Sequence, residues 1–156
     1  MDINKDSLEK IIREIIAEKI GGNCGCSVSR HGVISVNVPS IRVNETNRLD
    51  TGVASDRVYT KDLFTLEQSP RLGCGIMEMS KTAFDWTLSY DEVDYVIEGT
   101  LSIIIDGDRV TANKGELILI PKGSKIKFSV DDYARFIYVP YPADWQNVWN
   151  VKSKYD

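Results

Sequence analysis

The chain has one histidine, His31, so a histidine-based triad would have to use it. Its place beside Gly32, ahead of the main strand-rich region, reads instead as a surface loop. Three cysteines, an odd number, cannot all pair within one chain. The opening Met1-Asp2-Ile3-Asn4 lacks the basic start and apolar run of a signal peptide, so a cytoplasmic, reducing setting is expected. Cys24-Gly25-Cys26 lacks the two-residue spacer of metal-binding or redox thiol pairs and reads as a flexible joint; Cys74, in an apolar run, reads as a small buried residue. No apolar stretch approaches the length of a membrane span, so no membrane partner is expected. No basic stretch offsets the net charge of −4, which argues against a grip on nucleic-acid phosphates. The Walker pattern is absent, as are internal repeats and low-complexity segments.

What is present fits one domain: 156 residues, 42% hydrophobic and 27% charged. Leu8, Ile11, Ile12, Ile15, Ile16 and Ile20 recur at helical spacing, with Glu9, Lys10, Arg13 and Glu14 on the other side. Asp6 and Glu9 make a capping box, and Gly21-Gly22 ends this amphipathic helix. A lone helix of this length is marginal in water, so its stripe must dock, either on its own barrel, on a second subunit or on another protein. Short strands follow: Ile34 to Val38 alternate until Pro39, then come Val58 to Leu66 and Leu72 to Met79. Asn44 to Gly52 is polar and reads as loop. The expected divisions are a helix and linker over 1–26, a strand-rich body over 27–142, and a tail over 143–156 in which Pro142 starts a short helix carrying Trp145 and Trp149.

The centre of the chain is 84–130, two strand patterns joined at an Asp106-Gly107 hairpin turn. Glu92 and Gly99 are separated by six residues; Gly115, Pro121 and Gly123 form a second pattern, glycine, five residues, proline, one residue, glycine. These spacings resemble the two motifs of the cupins, which implies an all-β jelly-roll barrel. Most cupins hold a divalent metal with three histidines and the motif glutamate, but the histidine positions here carry Trp86, Leu88 and Ile126. None of these offers a lone pair for a metal, so no side-chain cupin metal site is expected.

The run WTLSYDEVDYVIEGTL from Trp86, IPKGSKIKF from Ile120 and RFIYVPYPADWQ from Arg135 resemble a narrower group, the ethanolamine-utilisation Q (EutQ) family of metal-less cupins. The resemblance covers roughly the C-terminal half. It implies an acetate kinase activity, with phosphoryl exchanged between ATP and acetate and no tightly bound cofactor; a non-catalytic microcompartment assembly factor and a metal-free sensor of a small carboxylate are the alternative readings. It also implies a bacterial microcompartment, to whose shell or cargo proteins the N-terminal helix would be the tether. Cupin sheets commonly pair, so a homodimer is expected.

Strict alternation would put Glu92, Asp94 and Glu98 in solvent and Val93, Tyr95 and Ile97 in the core. The cupin resemblance aims Glu92 inward instead, and both hold only if the apolar set meets another surface. A carboxylate in a lumen with Trp86, Leu88, Ile126 and Phe128 must be protonated, paired or hydrogen-bonded, which makes Glu92 the first catalytic candidate. Asp94 shares its face, and the two could hold Mg²⁺ if nucleotide phosphates supply further ligands. Tyr90 could orient a ligand and Trp86 line its site. Lys122 and Ser124, on the turn after Pro121, are candidates for phosphate contact, although a tight barrel turn is their default role. Arg135 is a second anion candidate that faces outward if Phe136 and Tyr138 face the lumen; Tyr138 is a substrate-contact candidate, and Glu78 is a cavity candidate of uncertain register. Glu116 to Ile120 is almost continuously apolar and is expected to be buried on both faces.

Overall fold

The structure is a computed structural model that describes residues 26–147. The expected N-terminal helix, Cys24, Trp149 and the end of the tail lie outside the described residues. Two compact units meet in sequence between Arg42 and Val43. In the first, β1 (Cys26–Val28) and β2 (Ile34–Val36) form a two-stranded antiparallel hairpin of their own. A 3-10 turn at Val38–Ser40, with Pro39 in its first positions, ends the strand pattern. These two strands pair with each other in a sheet of their own. His31 sits exposed in the hairpin turn.

The second unit is one folded-over antiparallel sheet. Its strands are β3 (Val58–Asp62), β4 (Gly75–Thr87), β5 (Asp91–Ile105), β6 (Asp108–Asn113), β7 (Leu117–Ile120) and β8 (Lys125–Tyr141). The order is β3-β4-β8-β5-β6, with β7 pairing the first part of β5. The expected loop at Asn44 to Gly52 includes a 3-10 turn, Glu45–Asn47, capped by Asn44. Asp106 (φ 49°) and Gly107 (φ 89°) both take the left-handed region that a two-residue hairpin needs, which closes β5 onto β6 with Ile105 opposite Asp108.

The core lies on one face of this sheet. Phe84 faces Phe128 across β4 and β8, and Ile103 faces Phe128 from β5; Met77, Phe136 and Val96 make a second row. The Phe84 and Phe128 rings stack with centroids 5.2 Å apart, and Phe128 lies 6.4 Å from Phe136. Each such fully buried side chain contributes about 1.5–3 kcal/mol of transfer free energy.

The opposite face carries a correction. Leu117 and Leu119 are 64% and 66% exposed while Ile118 and Ile120 are buried, so the apolar run 116–120 covers the core with one face only. Cross-strand register puts Leu119, Val93 and Val139 in one row and Leu117, Tyr95 and Ile137 in the next, an apolar face over three strands.

Candidate functional site

The site grows from the first turn of β5. Strand alternation and inner-face register put Glu92 between Ile120 and Pro140, and Asp94 between Ile118 and Tyr138. Both acids are buried, Glu92 4% exposed and Asp94 0%, whereas Tyr95 is 43% exposed. The outward reading of Glu92 and Asp94 from alternation is thus overturned: the apolar set Val93, Tyr95 and Ile97 belongs to the outer face. Leu88 and Ile126 are buried in the same core, and Trp86 is half-buried against it.

Glu92 is held by a short relay. The Trp86 indole Nε1–H donates to the Tyr90 hydroxyl oxygen at 2.9 Å, and the Tyr90 hydroxyl beside Glu92 works against burial by lowering that carboxyl's pKa. Trp145 covers this pair of rings, 4.7 Å from Tyr90 and edge-on to Trp86 at 6.2 Å. Trp145 therefore packs, as its spacing after Pro142 indicates, but what it packs on is the relay itself.

Asp94 has no such support: neither carboxyl oxygen meets a hydrogen-bond partner, and both are sealed from solvent. Its neighbour Tyr138 donates its hydroxyl to Asp62 at 2.8 Å instead. Gly75 makes this possible, because a Cβ there would lie 2.0 Å from the Tyr138 ring. Asp62 was missed as a contributor; the one signal for it was a glycine in a strand, which marks close approach of another group.

Burial dominates the electrostatics. It pushes the Glu92 carboxyl up to about 7 against the opposing effect of the Tyr90 hydrogen bond. Burial, and then the Glu92 charge, raises Asp94 well above the ordinary carboxylate range. Burial likewise raises the Tyr90 and Tyr138 hydroxyls, so both are neutral donors. Two acids side by side in an apolar lumen cannot both ionise at low cost.

The arrangement does not fit the expected Mg²⁺ between Glu92 and Asp94. That ion keeps most of its octahedral water shell, whereas Asp94 is sealed between Ile118 and Tyr138 and the Tyr138 hydroxyl already serves Asp62. A carboxylate pair of this kind is better matched by a proton than by a hydrated ion.

The remaining candidates divide. Lys122 and Ser124 sit on a turn tied to the one carrying Tyr90: the Lys122 N–H donates to the Asp91 carboxylate at 2.9 Å, Gly123 N–H to Leu88 O at 2.8 Å, and Leu88 N–H to Ser124 O at 3.0 Å. The Ser124 hydroxyl donates to Pro121 O at 2.6 Å, while Lys122 is exposed. Arg135 is not brought to the lumen. It lies opposite Glu78 across β4 and β8, the guanidinium donating at 2.7 Å, and Glu78 accordingly turns away from the core-facing Met77 and Met79.

A single sheet folded around an apolar core with a motif glutamate on its inner face defines a cupin. The chain has that fold in common with a cupin superfamily protein from Desulfitobacterium hafniense (TM-score 0.52, 10% identity, 67% of this chain and 85% of that one). The sequence model of the family described as "Ethanolamine utilisation protein EutQ" matches residues 3–147, and the chain belongs to that family. It is 62% identical over 149 residues to the Clostridioides difficile protein named acetate kinase EutQ, covering 92% of this chain and 95% of that protein. The Salmonella typhimurium protein of the same name is 34% identical over 141 residues, 90% of this chain and 61% of that protein. The structure of the C. difficile EutQ protein superposes with a TM-score of 0.77 at 67% identity, over 79% of this chain and 90% of that one. Among the described residues no helix is long and apolar enough to cross a membrane.

Proposed function

We propose that the protein exchanges a phosphoryl group between ATP and acetate in ethanolamine catabolism, within a bacterial microcompartment. The observation that carries this reading is the 62% identity to a protein named acetate kinase, across 95% of that protein's length. In the forward direction a carboxylate oxygen of acetate bonds to the γ-phosphorus while the bond from that phosphorus to the bridging oxygen breaks, and ADP leaves. The lumen end with Glu92, Asp94 and Tyr90 takes the small acid, walled by Trp86. Lys122 on the adjoining turn meets the phosphates, and Mg²⁺ travels with the nucleotide. Tethering to shell or cargo proteins belongs to the N-terminal helix and rests on its sequence pattern alone.

The test is ATP formation from acetyl phosphate and ADP by the purified protein, with contaminating kinase excluded by a second purification route. Glu92→Gln should lower kcat by roughly 100-fold or more, the usual scale for losing a group that stabilises the transition state. Full activity in that protein would remove Glu92 from the mechanism.

The reading includes a homodimer through the apolar outer face. Two exposed leucines on β7, flanked by Val93, Tyr95 and Val139, form the kind of patch that monomers seldom leave bare. Charging its centre with Leu119→Glu should convert the protein to a monomer in analytical ultracentrifugation with its circular dichroism unchanged. A variant that still sediments as the parent does would place the contact elsewhere.

A further inference from the structure

Exposure falls in steps from solvent to the acid pair. Trp145 is half-buried, Tyr90 against it is 4% exposed, and Glu92 and Asp94 are 4% and 0% exposed. On the Tyr90 side of Glu92 the outermost cover is therefore the Trp145 indole, centred 4.7 Å from the Tyr90 ring and 6.2 Å from that of Trp86. This cover is held differently from the structure beneath it. The turns carrying Tyr90 and Lys122 are tied to each other by Gly123 N–H to Leu88 O, Leu88 N–H to Ser124 O and Lys122 N–H to the Asp91 carboxylate. The chain after β8 is tied to the barrel by Ala143 N–H to Arg71 O at 2.8 Å. From Asp144 to Asn147, among the described residues, the one hydrogen bond is internal, Asn147 N–H to Asp144 O. Trp145 thus stays in place by ring and apolar contacts, which are weak singly and leave no polar group unpaired when they part. The packed form also leaves three polar atoms sealed without hydrogen-bond partners, Ser89 Oγ next to Tyr90 and both Asp94 carboxyl oxygens. Sealing such atoms costs free energy that is recovered when water or a polar ligand reaches them, which favours opening.

We propose that Trp145 is a lid: Asp144–Asn147 swings about Ala143, and the lifted indole uncovers Tyr90 and Trp86 and with them the way to Glu92. The packed form is shut to solutes, and the open form is a minority in exchange with it. The space that the indole vacates is larger than a two-carbon acid and is walled by the Trp86 and Tyr90 rings. Apparent affinity for a ligand of this end is reduced by the fraction of molecules that are open, so the lid sets how readily a small acid enters. That it admits a small carboxylate rests on the proposed reaction; the lid motion itself does not.

Hydrogen exchange of the Trp86 indole Nε1–H, followed by NMR on the full chain, reads the motion, because that proton is held by the Tyr90 hydroxyl against which Trp145 packs. Its exchange should proceed by local opening and stay unchanged in low urea, while the Leu101 and Ile103 amides, paired with β6 in the core, exchange faster as urea promotes global unfolding. Trp145→Ala should speed the Trp86 exchange about tenfold or more and leave those core amides within about twofold of the parent. Trp145→Phe, which keeps a ring on Tyr90, should fall between. A tryptophan that only stabilises the fold would move both classes of proton together; that result, or Trp86 exchange that tracks the core amides in urea, would overturn the proposal. Entry is read with acetyl phosphate and ADP: removing the lid should raise kcat/KM for acetyl phosphate about threefold or more, and a fall would overturn its role as a barrier. No ATP formation by parent or variant, with the exchange pattern as expected, would refute the kinase reading and leave the lid standing. ATP formation by a parent whose Trp86 exchanges only with the core would do the reverse.

Discussion

Replacing Gly99 with alanine should cost about 3 kcal/mol or more and leave the protein largely unfolded at physiological temperature. Two penalties coincide. Gly99 has φ +75°, where a side chain is strained, and an added Cβ would stand 1.9 Å from the Tyr133 carbonyl oxygen. That oxygen belongs to the backbone of the neighbouring strand and cannot rotate away. The residue sits where β5 shifts register against β8, after pairing with Ala134 and before pairing resumes at Ser102, so the clash acts where the long strand bends. Gly107→Ala is the comparison, because its Cβ would meet nothing within 4 Å although φ is also positive. It should cost about 1–2 kcal/mol from strain alone. Urea melts of the two variants read the difference; equal losses would mean that the Tyr133 contact is relaxed by a backbone shift.

The second large effect is on stability against pH. Glu92 ionises near 4.5 in the unfolded chain and near 7 when folded, so between those values the folded state binds a proton that the unfolded state has released. Stability from this group is complete below about pH 4.5 and is lost as the pH rises towards 7, a change on the order of 3 kcal/mol. Asp94 is displaced in the same direction and extends the loss to higher pH. The protein should therefore be more resistant to denaturant at about pH 5 than at about pH 8. Asp94→Asn should flatten this profile and stabilise the protein at the alkaline end, because an amide is buried there without ionising. A parent protein with a flat profile, or one more stable at about pH 8, would show that the pair is solvated or compensated.

Much of the fold was legible before any coordinates, for local reasons. The Glu92 to Gly99 spacing marks where β5 turns its acids inward and then bends past Tyr133, and Asp106-Gly107 states its hairpin in two residues. Asp131 and Asp132 interrupt the apolar alternation of 125–141, yet both are exposed positions within one continuous 17-residue β8. Hydrophobic alternation misled at Val93, Tyr95 and Ile97, because the period of a strand is the same whichever face is buried. It misled again at Leu117 and Leu119, where the run is continuous but the outer half is bare.

The site was legible as a set of residues and not as a network. Glu92, Asp94, Tyr90 and Trp86 lie within nine positions, so a motif could gather them. The contacts that decide their chemistry are long-range. Tyr138 reaches Asp62 across 76 positions, and Arg135 reaches Glu78 across 57, a pairing fixed by register. The register of β4 is further displaced by an irregularity between Ser80 and Thr82, where Lys81 takes φ 46°, and this is why the direction of Glu78 could not be counted from either end.

The proposed chemistry turns on a buried acid pair, Glu92 and Asp94, whose carboxyls burial pushes up. Carbon-13 NMR titration of the side-chain carboxyls, assigned through Glu92→Gln and Asp94→Asn, measures that state at each residue. The account predicts Glu92 titrating near pH 7 and Asp94 displaced well above the ordinary carboxylate range by its burial. Both carboxyls ionising together near pH 4, as exposed acids do, would contradict it.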